Sequence, residues 1–212
     1  MENRSNARTI AEYAIFIAII FVMRITGLSS IPVGPLVMTL TMIPIAIGAM
    51  LLGPLGGTVL GTVFGFTSLY DAMIGKAAMT GFFFQLSPVL TFFLCVGTRA
   101  LVGFLTGWLF RLMKAVDKRG IWCYFAGGLL APMLNTILFM GYIVLVFYQT
   151  EFIQNMVAAK GALNPLMFVV LVVGVQGLIE WLTGCIIGGG VAKAVAHALK
   201  RDQGPAGHPV QA

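Results

Sequence analysis

The chain has 212 residues, of which 59% are hydrophobic and only 9% are charged, whereas a soluble domain carries roughly 25% charged residues. Apolar runs long enough to cross a hydrocarbon core of about 30 Å recur along the whole length, which excludes an ordinary soluble protein. We therefore predict a single integral membrane domain over residues 1–200 and a disordered polar tail over residues 201–212.

The apolar runs predict an all-α bundle of six transmembrane helices. The first run follows a short basic head and lacks a small-residue cleavage site, so we interpret it as a retained helix and not as a signal peptide. Only Gly53 and Pro54 separate the second and third helices, and Pro54 suits the first turn of a helix. The interrupted segment 71–87 is predicted to be a loop or a re-entrant piece. The six predicted helices cover residues 9–28, 36–52, 55–70, 88–113, 122–148 and 165–199.

The distribution of the 13 lysine and arginine residues predicts the orientation. Positive residues are retained on the cytoplasmic side, and far more of them fall on the face of the bundle that carries both termini. We therefore predict cytoplasmic termini, and this distribution explains the net charge of +6 without a nucleic-acid partner. The opposite face carries Lys76 and Lys160, whereas the terminal face carries Arg4, Arg8, Arg111, Lys114, Lys118, Arg119, Lys193, Lys200 and Arg201.

Three charged residues fall inside the predicted spans away from their cytoplasmic ends, and a charge at the bilayer centre costs at least about 2.5 kcal/mol on insertion scales. Arg24 lies roughly 6 Å from the outer end of its helix, Arg99 lies roughly 17 Å inward, and Glu180 lies near mid-membrane. Two interpretations are open. Arg99 and Glu180 form a structural ion pair while Arg24 extends to the lipid headgroups, or an arginine binds an anionic group in a solute site that opens to the outside.

Polar neighbours of these charges favour the solute site. Asn135 and Thr136 follow Pro132, which frees a backbone carbonyl and suits a kink that faces a ligand. Two arginines against one acid favour an anionic ligand. The candidate binding residues are Arg99, Arg24, Asn135, Thr136, Gln176, Glu180 and Gln85.

No motif for catalysis or for a transport motor is present. The glycine clusters GPLGGTVLG and GGGVAK lack the GK[ST] ending that binds nucleotide phosphates, and neither HExxH nor GxSxG occurs. Cys95, Cys123 and Cys185 are well separated and are interpreted as buried apolar side chains. We predict neither an enzyme nor a cofactor or metal site, so the protein works passively or takes its energy from a partner.

Small residues at four-residue spacing mark two helix faces, because close backbone approach drives much of helix association in lipid. Helix one presents Ala11, Ala14 and Ala18, and helix three presents a glycine stripe at 57, 61 and 65. Each face is either an internal seam or a docking surface, and internal packing is the more common of the two.

The order of these features resembles the substrate-binding S component of an energy-coupling factor (ECF) vitamin transporter. The resemblance rests on Ala14-x-x-x-Ala18 and on the blocks SSIPVGPLVMTLTMIPIAIGAMLLGPLGG, SPVLTFFLCVGTRALVG and LNTILFMGYIV, and it spans residues 8–200. It implies a prokaryotic plasma-membrane protein that captures a vitamin outside the cell, beneath the loop after helix three. It also implies a transmembrane coupling subunit, which would dock on the Ala14 and Ala18 face, and two ATPase subunits.

Within this family the chain most resembles the pantothenate-type component. Pantothenate carries one carboxylate for Arg24 or Arg99, and its hydroxyls and amide suit the other polar candidates. Two alternatives stay open: another vitamin such as folate, pyridoxine or a thiamine precursor, and a structural membrane protein without transport activity.

Overall fold

A computed structural model describes residues 2–28, 31–33, 36–38, 40–117 and 120–199. These residues are mainly helical, and a short antiparallel hairpin is formed by β1 (Ile31–Val33), which pairs with β2 (Leu36–Met38). The predicted tail 201–212, and Lys118, Arg119, Lys200 and Arg201 of the charge pattern, lie outside the described residues. The helices are α1 (Glu2–Ile25), α2 (Met42–Met73), α3 (Ala78–Leu86), α4 (Pro88–Val116), α5 (Trp122–Phe147), α6 (Glu151–Lys160) and α7 (Pro165–Ala198).

Four of the described helices, α2, α4, α5 and α7, are long and apolar enough to cross a membrane. Exposed side chains such as Leu145 and Leu166 are then suited to contact with lipid. Helix α1 is not one of these four, because it carries the charged residues Arg8, Glu12 and Arg24. Helix α2 takes the place of two predicted helices. Six spans with cytoplasmic termini therefore stay a prediction.

Helix α2 reverses direction at Gly53, the predicted junction. Gly53 has φ 80° and ψ −169°, a conformation in which glycine is favoured because it has no Cβ. A methyl group on Gly57 would lie 2.8 Å from the Cβ of Ala49, although residues eight apart in a straight helix are about 12 Å apart. The first arm of α2, residues 42–52, thus packs against its second arm, residues 54–73.

Two parts of the predicted layout were wrong. Residues 36–38, assigned to the second helix, form β2, and helix α6 was not predicted. Segment 71–87, predicted to be a loop or a re-entrant piece, contains the short helix α3. Helices of 9 and 10 residues are too short to register as spans, because a crossing takes about 20 residues.

The predicted glycine stripe is an internal seam between α2 and α4. A methyl group on Gly65 would lie 2.7 Å from the Cα of Val96, and one on Gly57 or Gly61 would collide with a backbone carbonyl of α4. The prediction of internal packing is therefore confirmed for this stripe. The seam fixes the register of α4 and, with it, the depth of Arg99.

A second close contact joins α5 to α7. A methyl group on Gly184 would lie 2.9 Å from the Cγ of Pro132, and one on Gly189 would lie 2.7 Å from the Cα of Phe125. Asn135 follows Pro132 by one turn and Glu180 precedes Gly184 by one turn. The contact therefore places Asn135 of α5 and Glu180 of α7 at similar heights along the two packed helices.

Candidate functional site

A cavity of about 390 Å³, here called the α3–α7 cavity, lies among helices α3, α4, α5, α6 and α7. Small-molecule sites are typically 300 to 1,000 Å³ and mainly apolar, with a few polar groups, and this cavity fits that description. Its apolar lining includes Phe139, Met140, Phe152, Met156, Val172 and Val173, and its polar lining consists of Thr80, Arg99, Asn135, Thr136, Gln176 and Glu180.

Five of the seven predicted binding residues line this one cavity, although they come from three helices. Arg99 comes from α4, Asn135 and Thr136 come from α5, and Gln176 and Glu180 come from α7. Their role in binding stays a prediction, since no ligand is present. Arg24 and Gln85 do not line the cavity, and Gln85 is exposed on α3.

Arg99 is the most constrained of these side chains. It is only 8% exposed, its Nη1 donates to the backbone carbonyl of Cys95 at 3.1 Å, and its Cζ lies 4.7 Å from the ring centres of Phe64 and Phe139. The aromatic faces replace part of the hydration that a buried cation loses. Its Nε is buried without a hydrogen-bond partner, so one donor of a charged group has no protein acceptor.

A π-helical turn over residues Phe93–Gly97 prepares the position of Arg99. The backbone N–H of Thr98 donates to the carbonyl of Phe93, five residues earlier, which changes the usual pairing in this turn. The carbonyls of Leu94 and Cys95 accept from the side chains of Thr98 and Arg99. The turn thereby holds the guanidinium against its own helix.

Glu180 faces the same cavity from α7 and is 7% exposed. Gln176, one turn earlier, donates from Nε2 to its Oε1 at 2.9 Å. Helix α7 departs from helical geometry at Gly174, between the lining residues Val173 and Gln176. In the described part of the chain no ion pair joins Arg99 to Glu180, so the contact required by the structural ion-pair interpretation is not formed.

Two further residues that line the cavity each carry a buried polar atom without a hydrogen-bond partner. They are Asn135, at Oδ1, and Thr80, at Oγ1. More than about 90% of buried polar groups in proteins are hydrogen-bonded, so three such atoms on residues that line one cavity suit a polar ligand. The hydroxyl of Thr136 donates instead to the carbonyl of Pro132 at 3.1 Å.

Sequence reasoning missed Thr80 and the α6 contribution. Thr80 lies in the segment that was predicted to be a loop, and it lines the cavity together with Ala77, Ala78 and Met79. A threonine in an apolar segment is a weak signal, because its hydroxyl usually bonds to the preceding turn. Only the tertiary structure shows that this one does not.

Arg24 lies in the last turn of α1, in an ion pair with Asp71 of α2, with Nη2 and Oδ1 2.5 Å apart. Its Cζ also lies 5.0 Å from the ring centre of Tyr70. Asp71 was not among the predicted site residues. The predicted topology placed both residues near the outer face of the membrane, and this shared position was the one feature of the sequence that could have predicted the ion pair.

The predicted docking residues Ala11, Ala14 and Ala18 are exposed on α1. This exposure leaves the face available to a partner, and docking itself stays a prediction.

A second hollow of about 600 Å³ lies near the opposite ends of α4 and α5. Its lining is apolar apart from Asp117, whose carboxylate accepts from the backbone N–H groups of Gly120 and Cys123. It is larger than the α3–α7 cavity but open, and among the described residues that line it no buried polar atom lacks a partner. The smaller cavity is therefore the better candidate for a solute site.

The four long apolar helices indicate a multi-pass membrane protein, and the mainly apolar cavity with a few buried polar residues is of the kind that binds small molecules. A family model for the substrate-specific component of ECF transporters matches residues 8–187. The chain belongs to this family, whose members are substrate-binding subunits of membrane transporters and not enzymes. Comparison with curated proteins found no match.

Proposed function

We propose that this S component binds pantothenate in the α3–α7 cavity and delivers it through a coupling subunit driven by two ATPase subunits. The observation that carries the proposal is the buried guanidinium of Arg99, which belongs to a residue lining a cavity of about 390 Å³ and whose Nε has no hydrogen-bond partner. Such a group is suited to a ligand carboxylate, because charge-assisted hydrogen bonds are roughly twice as strong as neutral ones.

The remaining polar groups suit the other end of pantothenate. Glu180 is a hydrogen-bond acceptor for ligand hydroxyls, and Oδ1 of Asn135 is an acceptor for a hydroxyl or for the amide N–H. The Thr80 hydroxyl can donate or accept. We therefore orient the carboxylate toward α4 and the hydroxylated end toward α7.

The apolar wall suits the dimethyl group of the ligand. Phe139 and Met140 of α5 line the cavity together with Phe152 and Met156 of α6, and methionine adapts readily to branched apolar groups. Burial of the methyl groups would contribute roughly 25 cal/mol for each Å² removed from water.

The partners and the orientation follow from the same proposal. In a prokaryotic plasma membrane, α1, the second arm of α2, α4, α5 and α7 would be five of the six crossing segments, with both termini in the cytoplasm. The first arm of α2, residues 42–52, is shorter than a full span and would complete the sixth crossing together with the hairpin of β1 and β2. The coupling subunit would dock on Ala11, Ala14 and Ala18, and their exposure supports this.

Equilibrium binding tests the ligand assignment. Labelled pantothenate is titrated against the purified full chain, with folate, pyridoxine, a thiamine precursor and pantothenol as competitors. Pantothenol replaces the carboxylate with an alcohol, so it should compete far less well than pantothenate. Tighter binding of another vitamin would overturn pantothenate, and no binding of any vitamin would favour a structural membrane protein.

A further inference from the structure

The ion pair between Arg24 and Asp71 joins two helix ends that are 47 residues apart in the chain. Their side chains are only 20% and 24% exposed, and neither residue lines the cavity. Fully exposed ion pairs contribute little to stability, whereas this one is partly buried and is supported by the Tyr70 ring. The pair holds the end of α2 against the end of α1.

Asp71 is also the start of the chain segment that leads to the cavity. Its backbone carbonyl accepts from the N–H of Lys76 at 3.0 Å, and that of Ala72 accepts from the N–H of Gly75 at 3.2 Å. Gly75 has φ 71°, the left-handed conformation that lets the chain turn toward α3. The residues that follow, Ala77–Thr80, line the cavity.

The far side of α3 is held differently. The rings of Phe83 and Phe147 stack with centres 4.1 Å apart, and those of Phe82 and Phe152 stack with centres 5.2 Å apart. These contacts attach α3 to α5 and α6. The link from α2 to α3 is therefore fixed at its base by Asp71 and at its far end by aromatic packing.

We propose that Arg24 and Asp71 are positioning residues that seat the Ala77–Thr80 segment over the cavity and slow the escape of a bound ligand. The inference rests on the proposed function, since it takes the α3–α7 cavity as the ligand site. Loss of the pair frees the base of the segment, so a bound ligand dissociates faster although no ligand contact has been removed.

A competing role for Arg24 is direct capture of an anionic ligand at the outer mouth, and Asp71→Asn separates the two. If Arg24 captures anions, Asp71→Asn removes its carboxylate partner and makes Arg24 a better anion binder. The ligand then associates at least as fast as with the wild type, and it dissociates at the same rate or more slowly. If the pair seats the segment, Asp71→Asn has the same effect as Arg24→Gln. The exchange Arg24→Asp with Asp71→Arg restores slow dissociation only in the second case.

The first experiment measures the dissociation rate of labelled pantothenate after a chase with unlabelled ligand, on the full chain in lipid nanodiscs. We expect about five- to tenfold faster dissociation for each single variant, equivalent to roughly 1 kcal/mol or slightly more. The exchanged pair should stay close to the wild-type rate. Arg8→Gln is the matched control. It breaks the ion pair between Arg8 and Glu12 on the same helix, the Arg8 side chain is 54% exposed, and neither residue lines the cavity. Unchanged or slower dissociation in Asp71→Asn would overturn the proposal.

A second measurement needs no ligand and so separates this inference from the assignment of pantothenate. Thr80→Cys is introduced, and its rate of reaction with a water-soluble thiol reagent is compared with and without Arg24→Gln. The same proteins without Thr80→Cys give the background from Cys95, Cys123 and Cys185. Faster labelling in Arg24→Gln supports the positioning role even where pantothenate does not bind, and equal labelling rates overturn it.

Discussion

A side-chain methyl group on Gly61 of α2 would lie 2.9 Å from the carbonyl carbon of Arg99 on α4. The position of the buried guanidinium is therefore set by a glycine on another helix, 38 residues away by the numbering of the chain. Close backbone approach of this kind is how helices associate in lipid. It links the packing of the bundle directly to the geometry of the cavity.

Gly61→Ala should weaken both the bundle and ligand binding. The added methyl group meets backbone atoms that cannot move aside singly, and overpacking of this kind typically costs about 1 to 3 kcal/mol. Thermal unfolding and pantothenate titration measure the two effects. Gly141→Ala on α5 is the control, because nothing lies within 4 Å of its added methyl group. Equal behaviour of the two variants would show that the α2–α4 seam tolerates expansion.

Arg99→Gln should lower the affinity for pantothenate by about 1.5 to 3 kcal/mol, the range for a hydrogen bond to a charged group. Arg99→Lys should recover little of the loss, because a lysine lacks the planar set of donors that a carboxylate meets. Competition by pantothenol should be much less affected than binding of pantothenate. A loss of folding yield with full affinity in the folded fraction would make Arg99 a structural residue.

Thr80→Val should change binding and stability in opposite directions. The hydroxyl is buried without a partner, so its removal in the empty protein relieves a desolvation cost of about 1 to 3 kcal/mol, while a hydrogen bond to the ligand worth about 1 kcal/mol is lost. Thr106→Val is the matched control, since the Thr106 hydroxyl is also buried and unpartnered but does not line the cavity. It should raise stability and leave affinity unchanged. Unaltered affinity in Thr80→Val would remove Thr80 from the binding site.

Ala14→Trp should abolish uptake and co-purification with the coupling subunit while pantothenate binding is kept. The residue is exposed on α1 and does not line the cavity, so a large side chain there obstructs only a partner. Ile15→Trp serves as the control, because Ile15 is 58% exposed and lies about 100° further around the helix. Normal uptake by Ala14→Trp would exclude this face as the docking surface.

The sequence alone predicted most of the polar cavity wall, because charged and amide side chains are conspicuous in an apolar chain and their spacing along predicted spans gives their depth. Arg99, Asn135 and Glu180 were found in this way. Thr80 was not found, because a threonine hydroxyl usually donates to a backbone carbonyl of the preceding turn. Only the structure shows that the Thr80 hydroxyl makes no such bond. Arg24 was placed at the correct end of its helix, but its partner Asp71 lies 47 residues away and no local pattern connects them.

The three π-helical turns, Phe93–Gly97, Ile143–Phe147 and Gly184–Gly188, lie in the same three helices that carry the predicted polar wall. Each residue added to or removed from such a turn rotates the helical segment before the turn relative to the segment after it by about 100°. Deletion of one residue from Phe93–Gly97 would leave Arg99 in place, because the glycine seam holds that side of α4, and would instead rotate Pro88–Phe92 and the attached α3. The number of residues in this turn, and not only their identity, thus determines whether Thr80 and Arg99 share a cavity.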